Sequence, residues 1–175
     1  MVKIKKAIFF DRDGTLIETF VSKNNKPIAI RKLKDFRLIK NTKLVIKKLS
    51  KKYLIIVITN QPDVSRGKNK KINVININNK LKKVFNINKI YTCYSHDDKN
   101  YMRKPNPGMI FSAKKKFNLN LKKCFVVGDR DNDIKCGKKA GCKTVLLKKK
   151  YNNFKFSNPD YAIKYFKELL NIIKV

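Results

Sequence analysis

Acid is what this sequence has least of. Only 12 of its 175 residues are Asp or Glu, against 44 Lys and Arg, for a formal net charge of +32. The bases run along the whole chain with no separate basic tail. They are overwhelmingly Lys, whereas readers of base edges and phosphates favour Arg as well. This argues for a compositional bias, shared by the abundant Asn and Ile, over a dedicated nucleic-acid arm. In either case the field draws anionic ligands, phosphate esters included. Long apolar runs are also missing: no stretch approaches 18 consecutive apolar residues, so no membrane span is expected. The N-terminal MVKIKKAIFFDRDG returns to charge after four apolar residues, so no secretory signal is expected either. Cysteine is sparse and scattered, at Cys93, Cys124, Cys136 and Cys142. Without a secretory address these are expected to be reduced thiols in a cytoplasmic protein. There is no internal repeat.

What is present is enough for one folded domain over residues 1–175, with 42% hydrophobic residues to build its core. Short apolar runs at 4–10, 53–59, 89–93, 124–128 and 143–147, rich in Ile, Val and Phe, are predicted strands. Between them, 41–52, 70–86, 107–117 and 131–141 carry apolar residues at three- and four-residue spacing and are predicted helices. A last helix is predicted near 160–173, with Asn-Pro-Asp before Tyr161 as its start. Strand–helix alternation with nearly continuous apolar strands predicts an α/β fold, a three-layer, Rossmann-like doubly wound parallel sheet of about five strands. Two long connections, 17–40 and 93–106, are expected to be functional or mobile.

In so acid-poor a chain, AIFFDRDGTLIE ends an apolar strand on Asp11 and Asp13, and CFVVGDRDNDIK ends another on Asp129, Asp131 and Asp133. Five of the 12 acids thus fall into two strand-end clusters. In open parallel sheets the ligand sits at the carboxyl ends of the strands. Carboxylates sharing a small site repel unless a proton or cation intervenes. Mg²⁺ is the hard cation that suits carboxylate oxygens, waters and a substrate phosphate together. Helix capping accounts for Asp131 or Asp133 singly but poorly for the paired arrangement. A third strand end, LIIVITNQPDVSRG, offers Thr59, Asn60 and Gln61 as hydrogen-bond donors to phosphate oxygens. YMRKPNPGM adds the Arg103 guanidinium and the Lys104 ammonium.

DRDGT, TNQ, RKPNPGM and VGDRDND, in this order and spacing, resemble the four motifs of haloacid dehalogenase-superfamily phosphatases. More narrowly they resemble the branch that holds the D-glycero-D-manno-heptose 1,7-bisphosphate phosphatases and the histidinol-phosphate phosphatases. The resemblance runs from about residue 7 to 147. It implies that Asp11 is the nucleophile, forming an aspartyl-phosphate, and that Asp13 is general acid and then base. It implies that Asp11, the Asp13 backbone carbonyl and Asp129 hold Mg²⁺, with Asp133 orienting that shell. Thr59 and Lys104 would balance charge on the phosphoryl group. Arg103 would contact substrate, together with Asn60, Gln61, Arg12 and Arg130.

Members of that branch often carry a zinc loop before Arg-Lys-Pro. Here the loop reads CYSHDDKNYMRKP: Cys93 and His96 remain, but Asn100 and Met102 replace two further cysteines. No zinc is expected, since a closed structural site wants four N/S ligands. Residues 17–40 are too few for a large cap, so an open site is expected, with selectivity resting on 17–30, 62–67 and 94–102. The preferred expectation is a monomeric Mg²⁺-dependent phosphatase of a sugar bisphosphate or a similar small ester. Polynucleotide 3′-phosphatases share the TNQ and Arg-Lys-Pro-x-x-Gly-Met pattern, and the positive charge keeps nucleic-acid ends as an alternative substrate, beside histidinol phosphate. A non-enzymatic basic nucleic-acid-binding protein is the alternative of another class.

Overall fold

A computed structural model describes residues 5–151 and 158–174. Its centre is a six-stranded sheet: β1 (Ala7–Phe10), β4 (Leu54–Asn60), β5 (Lys89–Cys93), β6 (Phe125–Gly128), β7 (Lys143–Leu147) and β8 (Tyr161–Ile163). Their order is β5-β4-β1-β6-β7-β8, and every pairing is parallel. The α/β class and parallel sheet expected from the sequence are therefore correct, with a sixth strand at one edge. A two-stranded antiparallel hairpin, β2 (Phe20–Val21) and β3 (Pro27–Ile28), occupies the 17–40 connection. No large cap is present among the described residues, only this hairpin and a single 3-10 turn at Leu33–Asp35.

The strands are apolar on both faces because helices cover both. In β1, Ile8 and Phe10 point to one side, where they meet Val45, Ile46 and Leu49 of α1 (Thr42–Leu49) and Ile77 and Leu81 of α2 (Lys71–Val84). Ala7 and Phe9 point to the other side, against Met109, Ile110 and Ala113 of α3 (Gly108–Phe117) and Cys136 and Ala140 of α4 (Asp131–Ala140). The alternation of a strand thus sorts one unbroken apolar run into two cores. β1 and β6 end at the middle of the sheet, so the two acidic clusters are delivered side by side. The register Phe10↔Val127 is followed by a hydrogen bond from the Asp11 N–H to the Val127 carbonyl, 2.9 Å.

The predicted helix at 160–173 is only partly right. The segment begins as β8, turns through a 3-10 turn at Phe166–Glu168, and is α-helical only over α5 (Leu169–Ile172). Its buried residues, Ile163, Phe166, Leu169 and Ile173, recur every three or four positions and so imitate a helix face. Asp160 decides otherwise. It accepts from the Thr144 N–H and hydroxyl, both 2.7 Å, and pairs with Lys138, pinning the chain alongside β7. The final strand residue, Ile163, accepts from the Lys148 N–H at 2.8 Å.

Candidate active site

The loop after β1 turns sharply. Gly14 has φ +85°, and a Cβ there would run into the Asp129 carboxylate and the Tyr151 hydroxyl. Glycine is therefore required twice over, for its backbone conformation and for the approach of β6. Gly128 serves the same closeness, since a Cβ on it would overlap the Asp133 side chain. Asp11, Asp129 and Asp133 consequently come together, each buried, with one carboxylate oxygen of each within 4.8 Å of the others. Among the described residues this is the only grouping of three acids, histidines or cysteines with that spacing.

Lys104 joins two of the three. Its Nζ donates to Asp11 Oδ1 at 2.5 Å, to Asp133 Oδ1 at 2.6 Å and to the Ile58 carbonyl at 3.0 Å. Burial alone would drive its pKa down, but the charges of Asp11 and Asp133 raise it, and the ammonium stays protonated. Asn60 fixes where this lysine starts: its Nδ2 donates to the Lys104 carbonyl (2.9 Å) and its Oδ1 accepts from the Lys104 N–H (3.1 Å).

One lysine does not balance three acids. Burial, and then the charges of Asp11 and Asp133, push Asp129 up to about 7. Burial and the charge of Asp11 raise Asp133 as well, against the opposing pull of Lys104. Two hydroxyls hold Asp129 in place: Thr15 donates to Oδ1 at 3.0 Å, and Tyr151 donates to Oδ2 at 2.8 Å. Burial and the neighbouring Asp129 raise the Tyr151 pKa, which keeps it a donor. An all-oxygen cluster whose carboxylates are held together against their repulsion is the donor set of a hard divalent cation.

Asp13 lies beside the cluster and is 4% exposed. Its Oδ2 accepts from Gln61 Nε2 at 2.7 Å and Arg12 Nε at 3.0 Å, while Oδ1 is buried without a hydrogen-bond partner. Gln61 Nε2 also donates to Thr59 Oγ1, 2.9 Å. A cleft of about 600 Å³ opens over Asp11, Asp13, Thr59, Lys104 and Asp133. The hairpin forms one side of the cleft, and Arg103 and Arg130 also line it.

Most residues expected at the site from the sequence are thus gathered at one cleft, but not all face it. Arg12 has no exposed surface and does not line the cleft, whereas Asn60 lines it but uses both ends of its amide on the Lys104 backbone. Arg103 lines the cleft while donating to Asp98 (2.8 Å) and to the Ser95 carbonyl (3.2 Å). Arg130 stands half open, its Nε 4.0 Å from Asp129. In the 93–106 loop, Cys93 Sγ meets Asn100 Oδ1 at 3.8 Å and His96 Nδ1 pairs with Ser65 Oγ at 2.9 Å. Asn100 Oδ1 also accepts from the Met102 N–H, so side-chain amides organise this loop. Sequence reasoning missed Thr15 and Tyr151. Thr15 closes the DRDGT motif and was legible there, whereas nothing local marks Tyr151.

The family described as polynucleotide kinase 3 phosphatase matches residues 6–167 of the chain. Similar proteins include the D-glycero-alpha-D-manno-heptose-1,7-bisphosphate 7-phosphatase of Campylobacter jejuni, 31% identical over 93% of this chain and 96% of its own. The enzyme of that name from Photorhabdus laumondii is 34% identical over 84% of each chain. The D-glycero-beta-D-manno-heptose-1,7-bisphosphate 7-phosphatase of Helicobacter pylori is 29% identical over 99% of this chain and 100% of its own. In fold, the chain resembles the D,D-heptose 1,7-bisphosphate phosphatase of B. bronchiseptica, a structure complexed with magnesium and phosphate. The TM-score is 0.79 at 20% identity, over 97% of this chain and 100% of that one. Fold and site together define a phosphatase of the haloacid dehalogenase type. Within that class, the chain belongs to the polynucleotide kinase 3 phosphatase family, and the curated relatives named here are heptose bisphosphate phosphatases.

Proposed function

We propose that this chain is one phosphatase domain that hydrolyses the 7-phosphate of a heptose 1,7-bisphosphate, with Mg²⁺ held by Asp11, Asp129 and the Asp13 backbone carbonyl. The observation that carries the reading is the Asp11–Asp129–Asp133 cluster, drawn within 4.8 Å, with Lys104 bridging Asp11 and Asp133 where these line the cleft. The names of the relatives supply the substrate class. The bound cation would neutralise the phosphate and the carboxylates around it.

In this reading Asp11 attacks phosphorus and Asp13 protonates the departing sugar oxygen. Asp13 then takes a proton from the water that cleaves the aspartyl-phosphate. Lys104 and Thr59 stabilise charge on the transferring group, Asp133 keeps Lys104 and the metal shell oriented, and Gln61 holds Asp13. Arg103 and Arg130, on the cleft wall, contact the remainder of the substrate. We place the enzyme in the cytoplasm as a monomer. No helix among the described residues is long and apolar enough to cross a membrane, and all four cysteines are free.

The family description and the +32 charge favour a second reading, removal of 3′-phosphates from nucleic-acid ends. One substrate panel separates the two. Both anomers of heptose 1,7-bisphosphate, histidinol phosphate and a 3′-phosphorylated oligonucleotide are compared by kcat/KM with Mg²⁺ at two salt concentrations. The heptose bisphosphate should lead by about 100-fold, with little salt dependence. An oligonucleotide that leads, with an affinity falling steeply as salt rises, would replace the sugar reading.

A further inference from the structure

A residue that should not be inside the protein lies between the two catalytic aspartates. Arg12 is 0% exposed, among the largest wholly buried side chains of the chain. Burying a guanidinium is costly unless it is paired and hydrogen-bonded. Its Nε donates to Asp13 Oδ2 at 3.0 Å, and its Nη2 lies 2.9 Å from the same oxygen without hydrogen-bond alignment. Its Nη1 donates to Asn78 Oδ1 on α2 at 2.9 Å, and Asn78 Nδ2 donates in turn to Thr92 Oγ1 on β5 at 3.2 Å. With Gln61 Nε2 on Oδ2 as well, every polar contact that Asp13 makes through its carboxyl falls on one oxygen. The other, Oδ1, is buried and unpartnered in a residue that lines the cleft.

We propose that Arg12 is a positioning residue: anchored through Asn78 to α2 and β5, it locks Oδ2 of Asp13 and so makes Oδ1 the oxygen that meets the leaving group. This rests on the reading of Asp13 as the general acid. In the step concerned, the Asp11–phosphorus bond forms and the phosphorus–ester oxygen bond breaks. The proton on Asp13 Oδ1 passes to the departing oxygen, leaving the Asp13 carboxylate with its charge facing Arg12. The guanidinium therefore also stabilises the anion left behind, without touching substrate. A carboxyl free to rotate would present either oxygen and reach the leaving group in good geometry only part of the time.

The test compares phenyl phosphate, whose poor leaving group needs a proton, with p-nitrophenyl phosphate, whose good leaving group does not. In Arg12→Gln, kcat for phenyl phosphate should fall about 30-fold, a part of the 100- to 10,000-fold that general acid catalysis supplies. For p-nitrophenyl phosphate kcat should fall less than about threefold, with KM little changed for both esters. Arg12→Lys, which keeps the charge but not the two-ended fork, should recover only part of the loss. Asn78→Ala removes the far anchor alone and should show a smaller loss of the same selectivity. It decides the matter if Arg12→Gln does not fold by circular dichroism.

Equal losses on both esters would reduce Arg12 to a structural ion pair, and a raised KM with kcat intact would make it a phosphate ligand; either overturns the proposal. Asp13→Asn is the control on the underlying reading. If it shows no preference between the esters, or if the wild type cleaves neither, the acid assignment fails and the positioning role falls with it. If Asp13→Asn is selective and the Arg12 and Asn78 variants are not, the positioning role alone fails.

Discussion

The middle of the sheet and its β8 edge both depend on aspartate, and they use it in opposite ways. At the edge, Asp160 is satisfied: it accepts from the Thr144 N–H and hydroxyl and pairs with Lys138. Burial alone would raise its pKa, but these donors hold it below the usual carboxylate range. At the centre, Asp11, Asp129 and Asp133 face one another, Lys104 is shared by Asp11 and Asp133 alone, and Asp129 is pushed up to about 7. A carboxylate whose surroundings welcome its charge is there to hold the chain. Carboxylates pressed together are there for something that arrives. The edge should therefore matter to stability and little to turnover, and the centre the reverse.

The largest effect that would break this contrast lies at the nucleophile. Asp11→Asn should lower kcat by at least about 1,000-fold while the melting temperature stays the same or rises, because one repelling charge is gone. A clear loss of thermal stability would show the cluster to be structural. Lys104→Met comes next. It should cost about 100- to 1,000-fold in kcat and also destabilise the metal-free protein, since Asp11 and Asp133 lose their shared counter-charge. Steady-state kinetics and thermal melts read both.

A finer probe is Tyr151→Phe, which removes one hydrogen-bond donor from Asp129 Oδ2 while leaving the charge. The Mg²⁺ concentration for half-maximal activity should rise about tenfold, and calorimetry should show the same weakening of Mg²⁺ binding in the absence of substrate. Smallest is Asp160→Asn at the edge, expected to cost about 1 kcal/mol of unfolding free energy with kcat unchanged. Because the folded-state pKa of Asp160 is depressed, its contribution is fully present above the unfolded value of about 4 and is lost as pH falls through the folded value. Urea melts of wild type and variant should therefore converge at strongly acid pH. A gap that persisted there would mean that packing, and not the charge of Asp160, accounts for the difference.

The same contrast marks how far the sequence could be read. β1, β4 and β6 lie where nearly unbroken Ile, Val and Phe runs placed them, because a strand covered on both faces has few polar positions to confuse the pattern, and the more mixed β5 and β7 were still found from their short apolar stretches. That Asp11, Asp13, Thr59, Asp129 and Asp133 come close together was legible because they stand at or just beyond strand ends, and the topology of a parallel sheet says where strand ends meet; Lys104, in the long connection after β5, was marked only by its Arg-Lys-Pro context. β8 was not, because Ile163, Phe166, Leu169 and Ile173 share a helical spacing while the deciding contact, Asp160 on Thr144, spans 16 residues. The hairpin of two-residue strands is too short for any period to register. Tyr151 and Asn78 act on the site from 22 and 66 residues away, through single hydrogen bonds that leave no pattern in a one-dimensional string.

Asn60 grips Lys104 by its own peptide groups and leaves the side chain out of the bargain. The aim of the ammonium is thereby set from β4, a central strand, and not only from the loop that precedes it. Changes in the stretch between Cys93 and Arg103 should therefore leave the lysine on target as long as Asn60 keeps its grip. If that loop shapes the substrate side of the cleft, rewriting it should change what is bound and leave the bond-breaking groups in place.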